Sequence, residues 1–308
     1  MTGGDQYSPS GDQYSLTGFG YTATVTQVGA ALRELTFEGA ELVRGFGSDQ
    51  MMPHFRGAVL APWPNRVSDG SYRFGGHEHQ LALNEAERRN ALHGLVAFDE
   101  WRLIHQRDTQ VTLAHRLWPQ PGYPFRLDLE MTYVLGAQGF TWRLTAVNVG
   151  DRAAPYGCSI HPYFVAGSGS VDAWSLELPA THYLEVDELL RPIRTRPVEG
   201  SQFDFRIPRT IRETQIDNAY TGLTFDDRGF AVASLRSEEG KGVELRWDAS
   251  CPWVQVHTAD RPERELNRVG LALEPMTCPP DAFRTGTDLI VLEPADTHSV
   301  RWAARALP

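Results

Sequence analysis

One glutamate interrupts an apolar, proline-containing segment near the C-terminal end of the sequence. Glu274 lies in residues 271–283, LALEPMTCPPDAF, directly before Pro275. The residues before it resemble the end of a strand, and a proline fixes φ and lacks a backbone N–H, so we expect the chain to turn just after the carboxylate. Burial among apolar neighbours raises the pKa of a carboxyl group towards that of a useful general base near neutral pH. A strand-end glutamate paired with an arginine is the competing interpretation.

Further polar groups stand where apolar stretches are interrupted. APWPNRVSDG carries Asn65 and Arg66, NALHGL carries His93, CSIHPYF carries His161, and TQIDNAYTGL carries Asp217. Each has a structural explanation when taken singly: a strand-end histidine, an ion-paired arginine, or an Asp-Asn turn. Together with the glutamate they supply two histidines, two carboxylates, an asparagine and an arginine, with no nucleophile beside them. This set suits acid/base chemistry on a neutral substrate rich in hydroxyl groups.

The composition argues against several other classes of function. The 308 residues carry 29 basic and 39 acidic side chains and a net charge of -10, which disfavours nucleic acids and anionic membranes as partners. We therefore expect a small or neutral partner. Lys241 is the only lysine and lies in a turn, which is a poor place for Schiff-base chemistry. The sequence contains neither the phosphate-binding GxxxxGK(S/T) loop nor a GxGxxG turn after a strand, so we expect no nucleotide or other cofactor.

A metal site is a weaker alternative. His77 and His79 alternate on a hairpin strand, but no carboxylate ligand accompanies them, so we interpret both as solvated and expect no metal. The three cysteines have no CxxC spacing, which indicates neither a disulfide framework nor a zinc site. The sequence has no run of 18 apolar residues and no secretory signal at its N-terminus, so we expect a cytoplasmic protein without a membrane partner.

The elements that must position these groups are almost all strands. From Tyr21 onward, apolar and polar residues alternate with period 2, as in TATVTQVG and FRLDLEMTYVL, and turns such as Gly75-Gly76 separate the strands. This pattern predicts an all-β sandwich or barrel. No linker divides residues 18–308, which we interpret as one domain, and the polar residues 1–17 are predicted to be a flexible tail. The Pro/Arg-rich residues 189–212 are predicted to be a long surface excursion.

At these motifs the sequence resembles the aldose 1-epimerases, or galactose mutarotases. NRVSDGSYRFGGHEHQLALNE with ALHG resembles the family's Asn-Arg, hairpin and Leu-His-Gly block, and WPQPGYPF resembles its Gly-Tyr-Pro-Phe element. SIHPYF resembles its His-Pro-Tyr-Phe strand, and LALEPMTCPPDAF its catalytic-glutamate segment. The resemblance covers nearly the whole chain after the tail. It implies a large antiparallel β-sandwich of the galactose mutarotase-like supersandwich type.

The resemblance also implies an activity, the interconversion of the α and β anomers of a free hexose. It makes Glu274 the general base, His161 the general acid, and His93 a second histidine at the ring oxygen. Because a sugar site must open to water, we expect attraction between Glu274 and His161 to outweigh the effect of burial on their pKa values.

The same resemblance implies residues that bind the sugar. Arg66 and Asp217 become ligands of sugar hydroxyls, and Asn65 supports the same site. Aromatic side chains would stack on the apolar face of the sugar. The candidates for stacking are Trp63, Tyr163 and Trp253.

Two other functions stay open, each with a sugar as the small-molecule partner. A hexose-6-phosphate 1-epimerase would need a dense cationic patch, to which the motif segments add only Arg66. A non-catalytic carbohydrate-binding protein would keep the aromatic residues and Arg66. It would not need Glu274 and His161 together.

Overall fold

Almost every regular element of the chain is a β-strand, as the alternation predicts. The structure is a computed structural model that describes residues 8–308. In chain order, the strands of the first half are β1 (Gln13–Gly18), β2 (Tyr21–Thr26), β3 (Leu32–Phe37), β4 (Ala40–Glu41), β5 (Val59–Leu60), β6 (Arg66–Ser68), β7 (Ser71–Phe74), β8 (His77–Gln80), β9 (Asn90–Leu92), β10 (Arg102–Arg107), β11 (Gln110–Leu117), β12 (Leu127–Gly136) and β13 (Gly139–Asn148). Those of the second half are β14 (Ala154–Tyr156), β15 (Ser159–Ile160), β16 (Tyr163–Phe164), β17 (Ser175–Glu177), β18 (Ala180–Val186), β19 (Pro192–Pro197), β20 (Arg209–Thr210), β21 (Asp217–Leu223), β22 (Phe230–Arg236), β23 (Gly242–Asp248), β24 (Trp253–His257), β25 (Leu271–Met276), β26 (Ile290–Leu292) and β27 (Thr297–Leu307).

Helices are few and short in the described residues. One four-residue α-helix, α1 (Ala282–Thr285), follows β25. The 3-10 helices are Pro53–Phe55, Ala86–Arg88 and Val171–Ala173. No helix within residues 8–308 has the length and apolar character needed to cross a membrane.

Two large sheets dominate the architecture. The larger has nine strands in the order β10-β11-β12-β13-β27-β23-β22-β17-β20, and the other has six in the order β16-β25-β24-β21-β18-β19. A four-stranded sheet, β1-β2-β3-β4, and the pairs β14-β26, β15-β5, β6-β9 and β7-β8 complete the molecule. Every pairing between these strands is antiparallel.

A single apolar cluster joins the sheets. It contains Met131 and Tyr133 from the nine-stranded sheet, Val254 and Leu273 from the six-stranded sheet, and Leu16 from the four-stranded sheet. Because alternate side chains of a strand point to opposite faces, each sheet contributes one face to this core. The prediction of a large antiparallel β-sandwich is confirmed.

The predicted end of the N-terminal tail is wrong. Residues 13–17 belong to β1, which pairs with β2 along its whole length. Tyr14 and Leu16 are buried in the core. The alternation of QYSLTG is that of a half-buried strand, and the Gly/Ser-rich residues before it obscured this pattern. The first seven residues of the predicted tail lie outside the described part of the chain.

The Pro/Arg-rich residues 189–212 are more than a surface excursion. They contain β19 and β20, the outermost strands of the six-stranded and nine-stranded sheets. Val198, Phe205 and Ile211 of this stretch are buried members of the apolar cluster that joins the sheets. Edge strands tolerate proline because one side of the strand has no hydrogen-bonding partner, which explains how a proline-rich sequence extends both sheets.

Candidate active site

Three neighbouring strands of the six-stranded sheet place polar side chains on one face. Asp217 of β21 is paired with His257 of β24, and Gln255 of β24 is paired with Glu274 of β25. Directly paired residues point to the same face, and so do residues two apart in one strand. The sheet therefore presents two carboxylates, an amide and an imidazole side by side.

A cavity of about 380 Å³ opens over this face. Its volume lies in the usual range for small-molecule sites, roughly 300–1,000 Å³. The structure brings seven of the nine candidate site residues named from the sequence to the wall of this cavity. They are Asn65, Arg66, His93, His161, Tyr163, Asp217 and Glu274.

Glu274 lies inside a buried strand and not at its end. β25 continues through Pro275 to Met276 and is buried along its whole length, so the prediction of a turn just after the carboxylate is wrong. The carbonyl oxygen of Pro275 accepts hydrogen bonds from Ser159 Oγ at 2.9 Å and Trp302 Nε1 at 3.1 Å. Since the N–H and C=O of one strand residue point to the same side, the missing donor of the proline faces away from β24. The strand therefore accommodates the proline without losing a bond of that ladder.

His161 lies between two short strands and is fixed through its backbone. Its N–H donates to the carbonyl of Ala58 at 3.0 Å, and its carbonyl accepts from the N–H of Gly57 at 2.8 Å. Its ring stacks on Tyr163 with a centroid distance of 5.1 Å and an interplanar angle of 2°. These contacts hold the ring with its Nε2 atom facing Glu274.

Glu274 and His161 form a buried pair. His161 Nε2 lies 3.6 Å from Glu274 Oε1, and the two residues are 4% and 1% exposed. Burial lowers the pKa of His161 to about 3, and burial, followed by the charge of Asp217, raises the pKa of Glu274 well above its ordinary value. Both shifts favour the uncharged form. The expectation that attraction outweighs burial is therefore wrong, because these two side chains are more deeply enclosed than an open sugar site suggests.

His93 and Asn65 approach the cavity from left-handed backbone positions. His93 has φ 63° and Asn65 has φ 54°, and the N–H of His93 donates to the carbonyl of Asn65 at 2.8 Å. Positive φ is rare for residues other than glycine and is concentrated at functional sites. A Cβ atom on the following residue, Gly94, would lie 2.0 Å from the carbonyl oxygen of Ala61, so only glycine fits there.

The ring of His93 meets that of His161 edge to face. The centroids are 4.9 Å apart, and Nδ1 of His93 is buried with no hydrogen-bond partner in the described residues. Burial, followed by the neighbouring His161 and the charge of Arg66, holds the pKa of His93 well below its ordinary value. His93 is therefore neutral near neutral pH.

Arg66 is held between two carboxylates. Its Nε and Nη2 atoms donate to Glu85 at 2.8 and 2.9 Å, and Nη2 lies 3.9 Å from Asp217 Oδ2. Its Nη1 atom lies 3.4 Å from Oδ1 of Asn65, which also accepts from the backbone N–H of Arg66 at 3.0 Å. The sequence left open that Arg66 is simply ion-paired with an acidic neighbour. That ion pair is present, and it orients the guanidinium at the cavity wall.

Sequence reasoning missed four residues of this site. Gln255 donates to Asp217 Oδ1 at 2.6 Å, Glu85 binds Arg66, and His257 and Arg261 line the same cavity. The alternation of WVQVH places residues 255 and 257 on one face and could have indicated both.

Trp253 does not reach the cavity. It packs with Leu184, Ala219 and Met276, and its Nε1 atom donates to Asp288 Oδ2 at 2.7 Å. The structure therefore does not bring Trp253, one of the predicted stacking residues, to this cavity. Trp63, the other tryptophan considered, is buried and donates to the carbonyl of Ala91 at 3.3 Å. Tyr163 does line the cavity, with one face of its ring against His161.

The described residues offer no evident metal site. No group of three or more His, Cys, Asp or Glu side chains within residues 8–308 is arranged to hold a metal ion. His77 is exposed as expected, whereas His79 is only partly exposed and stacks on Tyr72 with a centroid distance of 4.9 Å. All three cysteines are free and buried.

Comparison with known proteins identifies the family. Residues 12–304 match the family model of the aldose 1-epimerases. The chain is 39% identical to "Uncharacterized protein YihR" of Escherichia coli (strain K12) over 279 residues, which cover 90% of this chain and 88% of that protein. It is 31% identical to the galactose mutarotase of Homo sapiens over 241 residues, which cover 72% of this chain and 68% of that protein. The chain belongs to the aldose 1-epimerase family.

Solved structures agree with the fold. A GalM/aldose epimerase homologue from C. elegans superimposes with a TM-score of 0.83 at 21% identity, covering 96% of this chain and 99% of that chain. A putative aldose 1-epimerase from Escherichia coli K12 gives a TM-score of 0.82 at 21% identity, covering 96% and 98%. These likenesses identify the galactose mutarotase-like sandwich.

Proposed function

We propose that this protein is an aldose 1-epimerase that interconverts the α and β anomers of a free hexose. The observation that carries the proposal is the buried pair of His161 and Glu274, whose facing atoms are 3.6 Å apart beside the cavity. The anomeric hydroxyl and the ring oxygen of an aldose are bonded to the same carbon. An acid and a base this close together suit those two neighbouring oxygens.

The proton content of the pair is compatible with this chemistry. Neutral His161 with protonated Glu274 carries the same single proton as the imidazolium with the carboxylate. The two forms therefore interconvert by moving that proton between the groups, without uptake from water. The anomeric hydroxyl donates to the carboxylate and the ring oxygen accepts from the imidazolium, so a bound sugar favours the charged form.

The reaction then needs only side chains. Glu274 takes the proton of the anomeric hydroxyl as His161 gives one to the ring oxygen, and the bond between the anomeric carbon and the ring oxygen breaks to leave an open-chain aldehyde. Rotation of the aldehyde presents its other face, and reclosure with the two roles reversed gives the other anomer. General acid and general base each contribute about 10²- to 10⁴-fold.

The other cavity residues hold the sugar. Arg66 and Asp217 offer a fixed donor and a fixed acceptor for hydroxyl groups, and Asn65 orients Arg66. Neutral His93 beside His161 provides a second imidazole at the ring oxygen. Tyr163 supports the ring of His161 from behind.

Optical rotation tests the proposal. Freshly dissolved α-D-glucose and α-D-galactose should reach equilibrium rotation faster with the protein than without it. A non-catalytic sugar-binding protein would bind either sugar, as measured by calorimetry, and leave the relaxation rate unchanged. Binding without a change in the relaxation rate would contradict the proposed epimerase activity and favour a non-catalytic sugar-binding protein.

A second candidate is a hexose-6-phosphate 1-epimerase, and Arg261 is the observation that favours it. Arg66 and Arg88 are both paired with Glu85, whereas Arg261 lines the cavity and contacts His257 without an ion pair to a carboxylate in the described residues. A guanidinium of this kind suits a phosphate. If this candidate is correct, glucose 6-phosphate should have a higher kcat/KM than glucose, and Arg261→Gln should remove the difference. Equal or lower kcat/KM for the phosphate would exclude it.

A further inference from the structure

A chain of three side chains runs along one wall of the cavity, and its middle member, His257, has no role so far. Arg261 Nη2 lies 3.4 Å from His257 Nε2, and His257 Nδ1 lies 3.8 Å from Asp217 Oδ2. The other oxygen of Asp217 accepts from Gln255 at 2.6 Å. His257 therefore stands between a cation and the carboxylate assigned to sugar binding.

The contact with Arg261 determines which nitrogen of His257 carries the proton. A guanidinium has donors only, so the ring nitrogen that faces it must supply a lone pair. In a neutral imidazole the proton then lies on Nδ1. Nδ1 is buried, has no hydrogen-bond partner in the described residues, and faces Asp217 from slightly beyond hydrogen-bonding distance.

The surroundings of His257 keep the ring neutral. Burial lowers the pKa of His257, and the positive charges of Arg261 and Arg66 act in the same direction, while Asp217 and Asp260 oppose them. Tyr163 packs edge to face against the ring at 6.4 Å. Burial alone would raise the pKa of Asp217, but the neighbouring His257, the charge of Arg66 and the hydrogen bond from Gln255 hold that pKa below its ordinary value. The wall thus contains a neutral histidine beside an ionised carboxylate.

We propose that His257 is a positioning residue for Asp217, with Arg261 fixing the Nδ1–H tautomer so that this N–H donates to the carboxylate when a sugar is bound. The donated bond holds Asp217 in the orientation that accepts from a sugar hydroxyl. The inference rests on the proposed function, because it takes Asp217 to be a sugar ligand. Since the reacting atoms lie at Glu274 and His161, loss of this bond weakens binding and leaves the chemical step nearly unchanged.

Two substitutions of His257 test separately the donor that faces Asp217 and the acceptor that faces Arg261. The amide of asparagine reaches the place of Nδ1 and keeps a donor for Asp217, whereas the amide of glutamine reaches the place of Nε2 and keeps only the contact with Arg261. We expect His257→Gln to raise KM for α-D-galactose about tenfold, with kcat within about twofold. His257→Asn should stay within about threefold of the wild-type KM. A purely structural role would lower the melting temperature of both variants without separating KM from kcat.

Substitution of Arg261 provides an independent test. Arg261→Met removes the group that selects the tautomer, so KM should rise by about threefold, and the double variant with His257→Gln should be no worse than His257→Gln alone. Arg264→Met, at an exposed position of the same loop, is the matched control and should leave KM unchanged.

The tautomer is measured directly with ¹⁵N-labelled histidine. A long-range ¹H–¹⁵N correlation spectrum of the intact protein should show His257, assigned by its loss in His257→Gln, protonated at Nδ1 and not at Nε2. An Nε2–H tautomer would overturn the inference whether or not the protein turns over a sugar. An unchanged KM in His257→Gln, in a protein whose wild type accelerates mutarotation, would overturn it and leave the proposed function intact. Absence of wild-type turnover would instead contradict the proposed function.

Discussion

His161 Nε2 and Glu274 Oε1 face each other across 3.6 Å, and both side chains are almost fully withdrawn from solvent. Burial lowers the pKa of His161 to about 3 and raises that of Glu274 well above its ordinary value. The pair therefore holds a single proton over a wide range of pH. Its activity should change only where it gains a second proton or loses the one it has.

The pH profile of kcat/KM should accordingly be bell-shaped with a broad plateau. The acid limb follows uptake of a second proton, which His161 resists because its pKa is lowered, and the alkaline limb follows loss of the last proton from Glu274, whose pKa is raised. Initial rates measured by polarimetry from about pH 3 to about pH 10 test this expectation. An acid limb near the ordinary histidine pKa of about 6.5 would contradict it.

Replacing His161 by asparagine should change the shape of the profile as well as its height. His161→Asn removes the acid, so most of the rate is lost, by about 10²-fold or more. The residual rate should rise with pH through the raised pKa of Glu274 and then stay level, because only the base still titrates. Retention of the alkaline fall in this variant would reassign the general acid, and His93 is then the first candidate.

The carboxyl group of Glu274 should destabilise the folded chain above its unfolded pKa. Its pKa is raised on folding, so the folded chain keeps a proton that the unfolded chain has lost, and stability falls as pH rises from about 4.5 towards the folded value. Each unit of pH in that window costs about 1.4 kcal/mol. Glu274→Gln cannot titrate, so its melting temperature should exceed that of the wild type by a margin that grows across the window and then levels off. A constant or negative margin in thermal unfolding from about pH 4 to about pH 8 would contradict this account.

Arg66 should act mainly on substrate binding. A lysine at this position cannot make the two-pronged contact with Glu85 and leaves part of that half-buried carboxylate unpaired. We expect Arg66→Lys to raise KM by at least about tenfold and to change kcat by less. Arg73→Lys, at an exposed arginine of the β7-β8 hairpin, is the matched control. If kcat fell by as much as KM rose, Arg66 would belong with the acid/base groups.

Local sequence signals located most of this site but not all of it. Asn65, His93, His161 and Glu274 were identifiable because each interrupts an apolar or proline-containing segment, and such a break is visible in a short stretch of sequence. Glu85 offered no such signal. It lies in a charged stretch, and only the folded chain shows that it binds Arg66.

The errors have physical causes that lie in the packing. Strand β25 is buried on both sides and accommodates Pro275, although proline usually marks the end of a strand. Trp253 lies two residues before Gln255 on the same face of the strand. It nevertheless lies outside the cavity, where its Nε1 atom donates to Asp288. Alternation therefore predicts which face a residue occupies, and it does not predict where along that face the cavity ends.

Trp253 should prove structural. Trp253→Phe keeps an aromatic ring but removes the hydrogen bond from Nε1 to Asp288, so we expect a lower melting temperature, equivalent to about 1–3 kcal/mol, with KM for either sugar within about twofold of the wild type. Thermal unfolding and initial-rate polarimetry on the same samples provide both values. A large rise in KM without loss of stability would restore the interpretation of Trp253 as a stacking platform.

Polarimetry of Glu274→Gln beside the wild type tests the central claim most directly. With freshly dissolved α-D-glucose and α-D-galactose, the wild type should accelerate the approach to equilibrium rotation, and Glu274→Gln should show a rate about 10³-fold lower while binding either sugar within about tenfold of the wild type. The amide keeps the shape of the side chain and cannot accept the proton. Wild-type activity in Glu274→Gln, or no acceleration by the wild type with either sugar, would contradict the account.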